Sequence, residues 1–411
     1  MVKLHFNYKD IFRPFRVAFS AKKIWIMFLG LLIGTLTYAI FTYIAHLTAG
    51  KTFFYIWTEY RLFPLPGNFS AWYSWLIWII GLFSFIFFIL IFGTAVSKIT
   101  FEQLRGDEFF EVKSALSFAF KNWTSVIFSP TIVAAFVGII VIAGILLGLI
   151  GLIPYVGPVV VGLFSIIAFF ASLFIVYLVI VFIFTITLSP AVVGSTKNDI
   201  FDTLFEVFSS FNDQTWRVVW YQFLTGLFAI IGTFILGFLS SLSILIGKTI
   251  LKLIMKGKIE TLLEGGEYFL KINPAFGTQI FSFFERMGFG VVFYPPSFSY
   301  PNIGFLIGQI LVGIVFYIIL FFILGYGLSI WFSGNVFVYT IIVKKKDNKN
   351  LLEMYGEEEA EIIKPIEEKI EVDTAKPEKE EKKPVKKTAK KTTSKTTRKT
   401  TKTKTKKPIK K

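Results

Sequence analysis

Few side chains in this chain are of types that do chemistry. His5 and His46 are the only histidines, and there is no cysteine. A zinc-type centre needs clustered His, Cys or carboxylate ligands, and neither histidine has such neighbours at ligand spacing. His5 lies in the N-terminal segment. His46 falls near the end of the first apolar run, where an imidazole satisfied by water is the plain expectation. No serine has an evident base, and neither a phosphate-cradling P-loop nor a dinucleotide-binding glycine pattern occurs. The absence of thiols excludes disulfide and thiolate chemistry. The residues therefore predict no catalytic constellation, no metal and no cofactor.

Three other patterns remain. Gln222 and Gln309 are the notable amides near span ends, but the apolar runs lack the acids that ion-coupled transport usually uses. Asp107-Glu108 and Asp199 with Asp202 read as acids at helix N-termini, favoured by the macrodipole. Gly144 and Gly148 form a G-x-x-x-G pair, which lets helices approach closely. It could serve within the bundle or between protomers of a homo-oligomer.

The strongest partner signal is at the C-terminus. The chain has 43 basic and 27 acidic residues. Fifteen of the basic residues fall after position 381, with no acid among them: Lys382, Lys383, Lys386, Lys387, Lys390, Lys391, Lys395, Arg398, Lys399, Lys402, Lys404, Lys406, Lys407, Lys410 and Lys411. That leaves 28 basic against 27 acidic residues in the rest of the chain, so the body is electrically balanced. The tail is Lys, Thr and Pro with almost nothing to bury, so it is expected to be disordered. Its composition resembles the C-terminal tails of linker-histone-like proteins, which implies polyanion binding by counterion release. Anionic headgroups are an equal candidate, at ~1 kcal/mol per basic residue near the surface. Without an aromatic residue in it, base stacking is not expected.

The body is a membrane protein by composition. It is 54% hydrophobic with 50 phenylalanines and a mean hydropathy of +0.66. A/T-rich coding bias contributes to the Phe, Ile and Lys excess, so composition gives class and not function. Six runs exceed the ~20 residues that cross a bilayer: Ile24 to Leu47, Trp72 to Ala95, Val126 to Leu152, Val159 to Leu188, Phe223 to Ile246 and Ile303 to Ile330. None contains Asp, Glu, Lys or Arg. The N-terminus lacks the pattern of a cleavable signal peptide.

One phrase occurs three times: an acid, a Phe-rich amphipathic stretch, a Trp and an apolar hairpin. The copies start at Asp10, Glu108 and Asp199, and their tryptophans are Trp25, Trp123 and Trp216. Each stretch has the helical moment of an interfacial helix, and each Trp suits the interface as an anchor. Segments Thr94-Ala95-Val96, Pro190-Ala191-Val192-Val193 and Gly334-Asn335-Val336-Phe337 read as small-residue elbows where each hairpin returns to a basic soluble segment. The expected fold is therefore an all-α membrane protein in domain 1–346. It has six transmembrane helices in three repeats of interfacial helix plus hairpin, about 8–95, 106–189 and 198–342. An acidic and mixed linker, 347–381, and the tail, 382–411, follow. Basic residues near span ends put both termini in the cytoplasm, in a multi-pass cytoplasmic (inner) membrane protein. The unusual outer loop is 247–302. Its Leu251–Leu263 part reads as a short amphipathic helix ending near Gly265-Gly266. Its end, Tyr294 to Pro301, is aromatic and proline-rich.

The stretches Asp10 to Trp25, Glu108 to Trp123 and Asp199 to Trp216 resemble uncharacterised bacterial membrane families. They also resemble the membrane domain that precedes glycerophosphodiester phosphodiesterases. The resemblance covers roughly 1–350 and implies topology only, since no such catalytic domain is present in this sequence. The expected function is a non-enzymatic membrane scaffold, partnered by the bilayer, whose tail binds anionic lipid or nucleic acid. The alternative is a transporter or lipid-handling protein with a site among the spans beneath loop 247–302.

Overall fold

The structure is a computed structural model that describes residues 4–61, 64–67, 69–270 and 300–353. Its long helices follow from uninterrupted apolar sequence. They are α2 (Ala21–Thr48), α4 (Trp72–Arg105), α6 (Trp123–Gly151), α7 (Val156–Thr196), α9 (Thr215–Met255) and α11 (Ile303–Asp347). All six are long and apolar enough to cross a bilayer, which makes this a multi-pass membrane protein. Shorter helices are α1 (Pro14–Val17), α3 (Phe53–Tyr60), α5 (Val112–Lys121), α8 (Ile200–Asp213) and α10 (Lys258–Leu270). Among the described residues there is no strand. The long helices pair as hairpins, α2 with α4, α6 with α7 and α9 with α11.

The expected elbows are absent. α4, α7 and α11 run straight through all three small-residue segments, and these segments pack together as the core. Gly93 lies flush against the Phe332 ring, Gly194 against Ser97, and Gly334 against Thr225. Ser97 Oγ donates to the Phe332 carbonyl at 3.5 Å, and the Thr100 and Ser333 hydroxyls are 3.0 Å apart. Small residues in an apolar helix mark close helix approach, and such side-chain bonds contribute about 0.6 kcal/mol each. α11 has 45 residues, about 68 Å at 1.5 Å per residue, against a ~30 Å hydrocarbon core. Its C-terminal part, from Ser329 to Val343, is buried almost throughout by protein. This end of the bundle is the basic end. There Glu102 pairs with Lys98 (2.6 Å) and Arg105 (3.0 Å), and Lys346 on α11 pairs with Glu206 on α8 (2.9 Å).

Each of α4, α7 and α11 ends in a left-handed residue, Gly106, Lys197 and Asn348. A backbone at φ > 0 terminates a helix because it turns the next amide away from the helix axis. The amphipathic segments lie across these helices: α5 on α4, α8 on α7, and α1 on α11.

Several local expectations change. The first amphipathic stretch is not one helix. It is a 3-10 turn, Tyr8–Phe12, followed by the single turn of α1, because Pro14 lacks an amide donor. Asp107 and Glu108 precede α5 rather than capping it, and Asp107 instead accepts from Phe109 N at 3.0 Å. Asp199 is the N-cap of α8, with Asp202 in its first turn. The outer segment opens as a continuation of α9 to Met255. The chain turns at Lys256, and α10 then passes through Gly265-Gly266, whose bare backbones seat against Gln309 and Val312 of α11. The space beside Gly144 and Gly148 is open, so among the described residues neither packs α6 against another helix.

Candidate functional site

At the basic end the N-terminal segment is tied down by the bundle. The buried Asp10 accepts from His5 N (2.8 Å) and pairs with Arg13 (3.2 Å). Lys23 Nζ donates to the Val17 carbonyl (3.1 Å), and Ser329 Oγ to the Ala18 carbonyl (3.1 Å). The Tyr326 hydroxyl donates to the Phe15 carbonyl at 3.3 Å, across 311 residues of sequence. These bonds hold Phe15 and Phe19 edge-on to the Tyr326 ring, at 6.3 and 5.5 Å between centroids.

The result is a groove of about 530 Å³, lined by Phe15, Arg16 and Phe19 of the N-terminal segment, Ile235, Leu236 and Leu239 of α9, and Tyr326 of α11. Arg16 is exposed and carries the only charge on this lining. Gly232 sits at the level of Phe15 and Tyr326. Leu239 is seven residues further along α9, about 10 Å toward the other end of the bundle. The groove is thus an open, mostly apolar crease with one guanidinium on its lining. Such a lining suits a hydrocarbon chain joined to an anionic group.

Of the residues singled out by sequence, Trp123 and Trp216 open α6 and α9, and Trp25 lies in the first turns of α2. Trp25 stacks on Phe28 at 5.2 Å and Trp123 meets Phe87 at 5.7 Å, while Trp216 is exposed. Gln222 is spent on structure, its Nε2 donating to Thr187 (2.9 Å) and Asn335 (3.2 Å). Gln309 Nε2 donates to the Thr261 carbonyl at 3.0 Å. His46 is buried at the end away from the basic residues rather than wetted there. Among the described residues no His, Cys, Asp and Glu group has the arrangement of a metal site. The tail residues Lys382 to Lys411, most of the linker, and 271–299 of the outer loop lie outside the described residues.

Sequence reading missed the groove. Phe15 and Phe19 were visible as an apolar face, but their partner Tyr326 is far away in sequence and sits in a run of similar aromatics. No protein-family profile, curated protein or solved structure matches this chain.

Proposed function

We propose that this protein is a non-enzymatic membrane scaffold that holds anionic lipid at the cytoplasmic leaflet. The groove beside Arg16 is the observation that carries this reading. An apolar crease facing hydrocarbon is filled by an acyl chain, since neither water nor vacuum is favourable there. The chain would run along Ile235, Leu236 and Leu239, with its phosphate at Arg16. The excess of basic residues at this end supports a cytoplasmic side for it. The tail, Lys382 to Lys411, adds a looser electrostatic hold on the same leaflet, with nucleic acid as the competing polyanion. Trp25, Trp123 and Trp216 are interfacial anchors of this assembly.

The three-unit organisation, 8–95, 106–189 and 198–342, belongs to the same proposal. Two features support it: the three left-handed helix ends, and the seating of each amphipathic segment on the second long helix of the preceding unit, with α1 on α11 closing the ring. A second reading, lipid handling or transport beneath 247–302, is favoured by one observation, a buried arginine capped by α10.

Polymer extraction without detergent, followed by phospholipid analysis, tests the scaffold. The full chain should bring out a larger share of anionic phospholipid than the bulk membrane holds. Deleting 382–411 should shrink the excess, and adding Arg16→Glu should remove it. A shell matching the bulk membrane for the full chain would overturn the proposal.

A further inference from the structure

We infer that the end of the bundle opposite the basic end holds a phosphate-binding site centred on Arg61. Arg61 caps α3 with φ 53, a left-handed conformation that a non-glycine residue adopts only when its surroundings enforce it. Arg61 as a whole is 3% exposed. It lies 4.4 Å from the Tyr268 ring of α10 and 5.4 Å from the Trp57 ring of α3. One terminal nitrogen donates to the Trp57 carbonyl at 3.0 Å. The buried Nε has no hydrogen-bond partner, and among the described residues no carboxylate forms an ion pair with Arg61. Two aromatic faces and a carbonyl do not neutralise a buried cation, and an uncompensated one is costly. A charged N–H donor left in this state fits an oxyanion better than any neutral group.

A second buried group contacts the residue before Arg61 in sequence. Tyr60, the neighbour of Arg61, stacks on His46 with centroids 5.1 Å apart. His46 Nε2 is 2.9 Å from the Leu65 carbonyl, so that nitrogen carries the proton. Nδ1 is then an acceptor, buried and without a partner. Lys51 Nζ and His46 Cε1 meet over Gly67, each 2.9 Å from where a β-carbon there would lie. If Arg61 reaches the same anion as Lys51, the two cations and one vacant acceptor match a phosphate that also presents an O–H. A free phosphate monoanion offers this, and so does the phosphate and hydroxyl of a glycerol headgroup. The site is independent of the Arg16 groove, and its failure leaves that reading standing.

The test is titration of lipid-depleted full-length protein in detergent, with inorganic phosphate in one arm and phosphatidylglycerol in the other, read by calorimetry. Arg61→Gly removes the charge and suits φ 53, so the variant should keep or raise its melting temperature without ligand. Phosphate binding, or the part of the lipid binding that persists in Leu236→Trp, supports the site if Arg61→Gly and Lys51→Gln each weaken it at least about tenfold. Response to phosphate identifies the free anion, and response to the lipid alone identifies the headgroup. Equal binding by Arg61→Gly, or no binding in either arm, overturns it.

Discussion

A side chain at Gly93 would collide with the Phe332 ring, whereas one at Gly148 would meet nothing among the described residues. In the sequence the two glycines differ the other way: Gly148 belongs to a packing motif and Gly93 to none. A motif reports that close approach is allowed, and only the partner helix shows whether it happens. Gly93→Leu should destabilise the detergent-solubilised protein by about 1–3 kcal/mol through overpacking. Gly148→Leu should stay within about 0.5 kcal/mol of the parent. Thermal melting of both checks this, and a Gly148 effect as large as that of Gly93 would contradict it. Glu267 on α10 gives a prediction in pH. Burial raises its carboxyl above the usual range, with Glu264 adding to the shift and Lys248 opposing it. The folded state thus favours the neutral form. Its contribution is complete below the ordinary pKa of about 4.3 and is lost as pH rises through the raised value. Melting temperature should therefore fall less steeply in Glu267→Gln as pH rises above about 4. Identical slopes in parent and variant would count against it.

Six apolar helices could be read from the sequence because bilayer length leaves little room for another reading. The ends of these helices could not. Thr94 to Val96, Pro190 to Val193 and Gly334 to Phe337 have elbow composition, yet they lie mid-helix, because their small side chains let α4, α7 and α11 come together. The amphipathic stretches show the same limit. Periodicity identifies a face, but not that Pro14 breaks the first stretch or that Tyr326 holds it. The central contact can be tested directly in a chain that has no cysteine of its own. Thr100→Cys with Ser333→Cys replaces two hydroxyls 3.0 Å apart, and should oxidise to an intramolecular disulfide that changes gel mobility. Two thiols that stay fully reactive to alkylation under oxidising conditions would show that α4 and α11 do not meet there.

At the scale of the molecule, the bundle closes on itself where α1 lies on α11, so that the first and last helices share one wall of the groove. Charge balance along the sequence separated the body from the basic tail, but no linear pattern linked Phe15 to Leu236 and Tyr326. In a scaffold of this kind an anionic lipid fills that groove. Native mass spectrometry of the full chain, purified with equal phosphatidylglycerol and phosphatidylcholine and then stripped by gentle activation, reads this most directly. The parent should keep phosphatidylglycerol after the other lipid is gone, and Leu236→Trp, which fills the groove, should keep measurably less of it. Equal retention of phosphatidylglycerol by parent and variant, or no preference between the two lipids, would contradict the account.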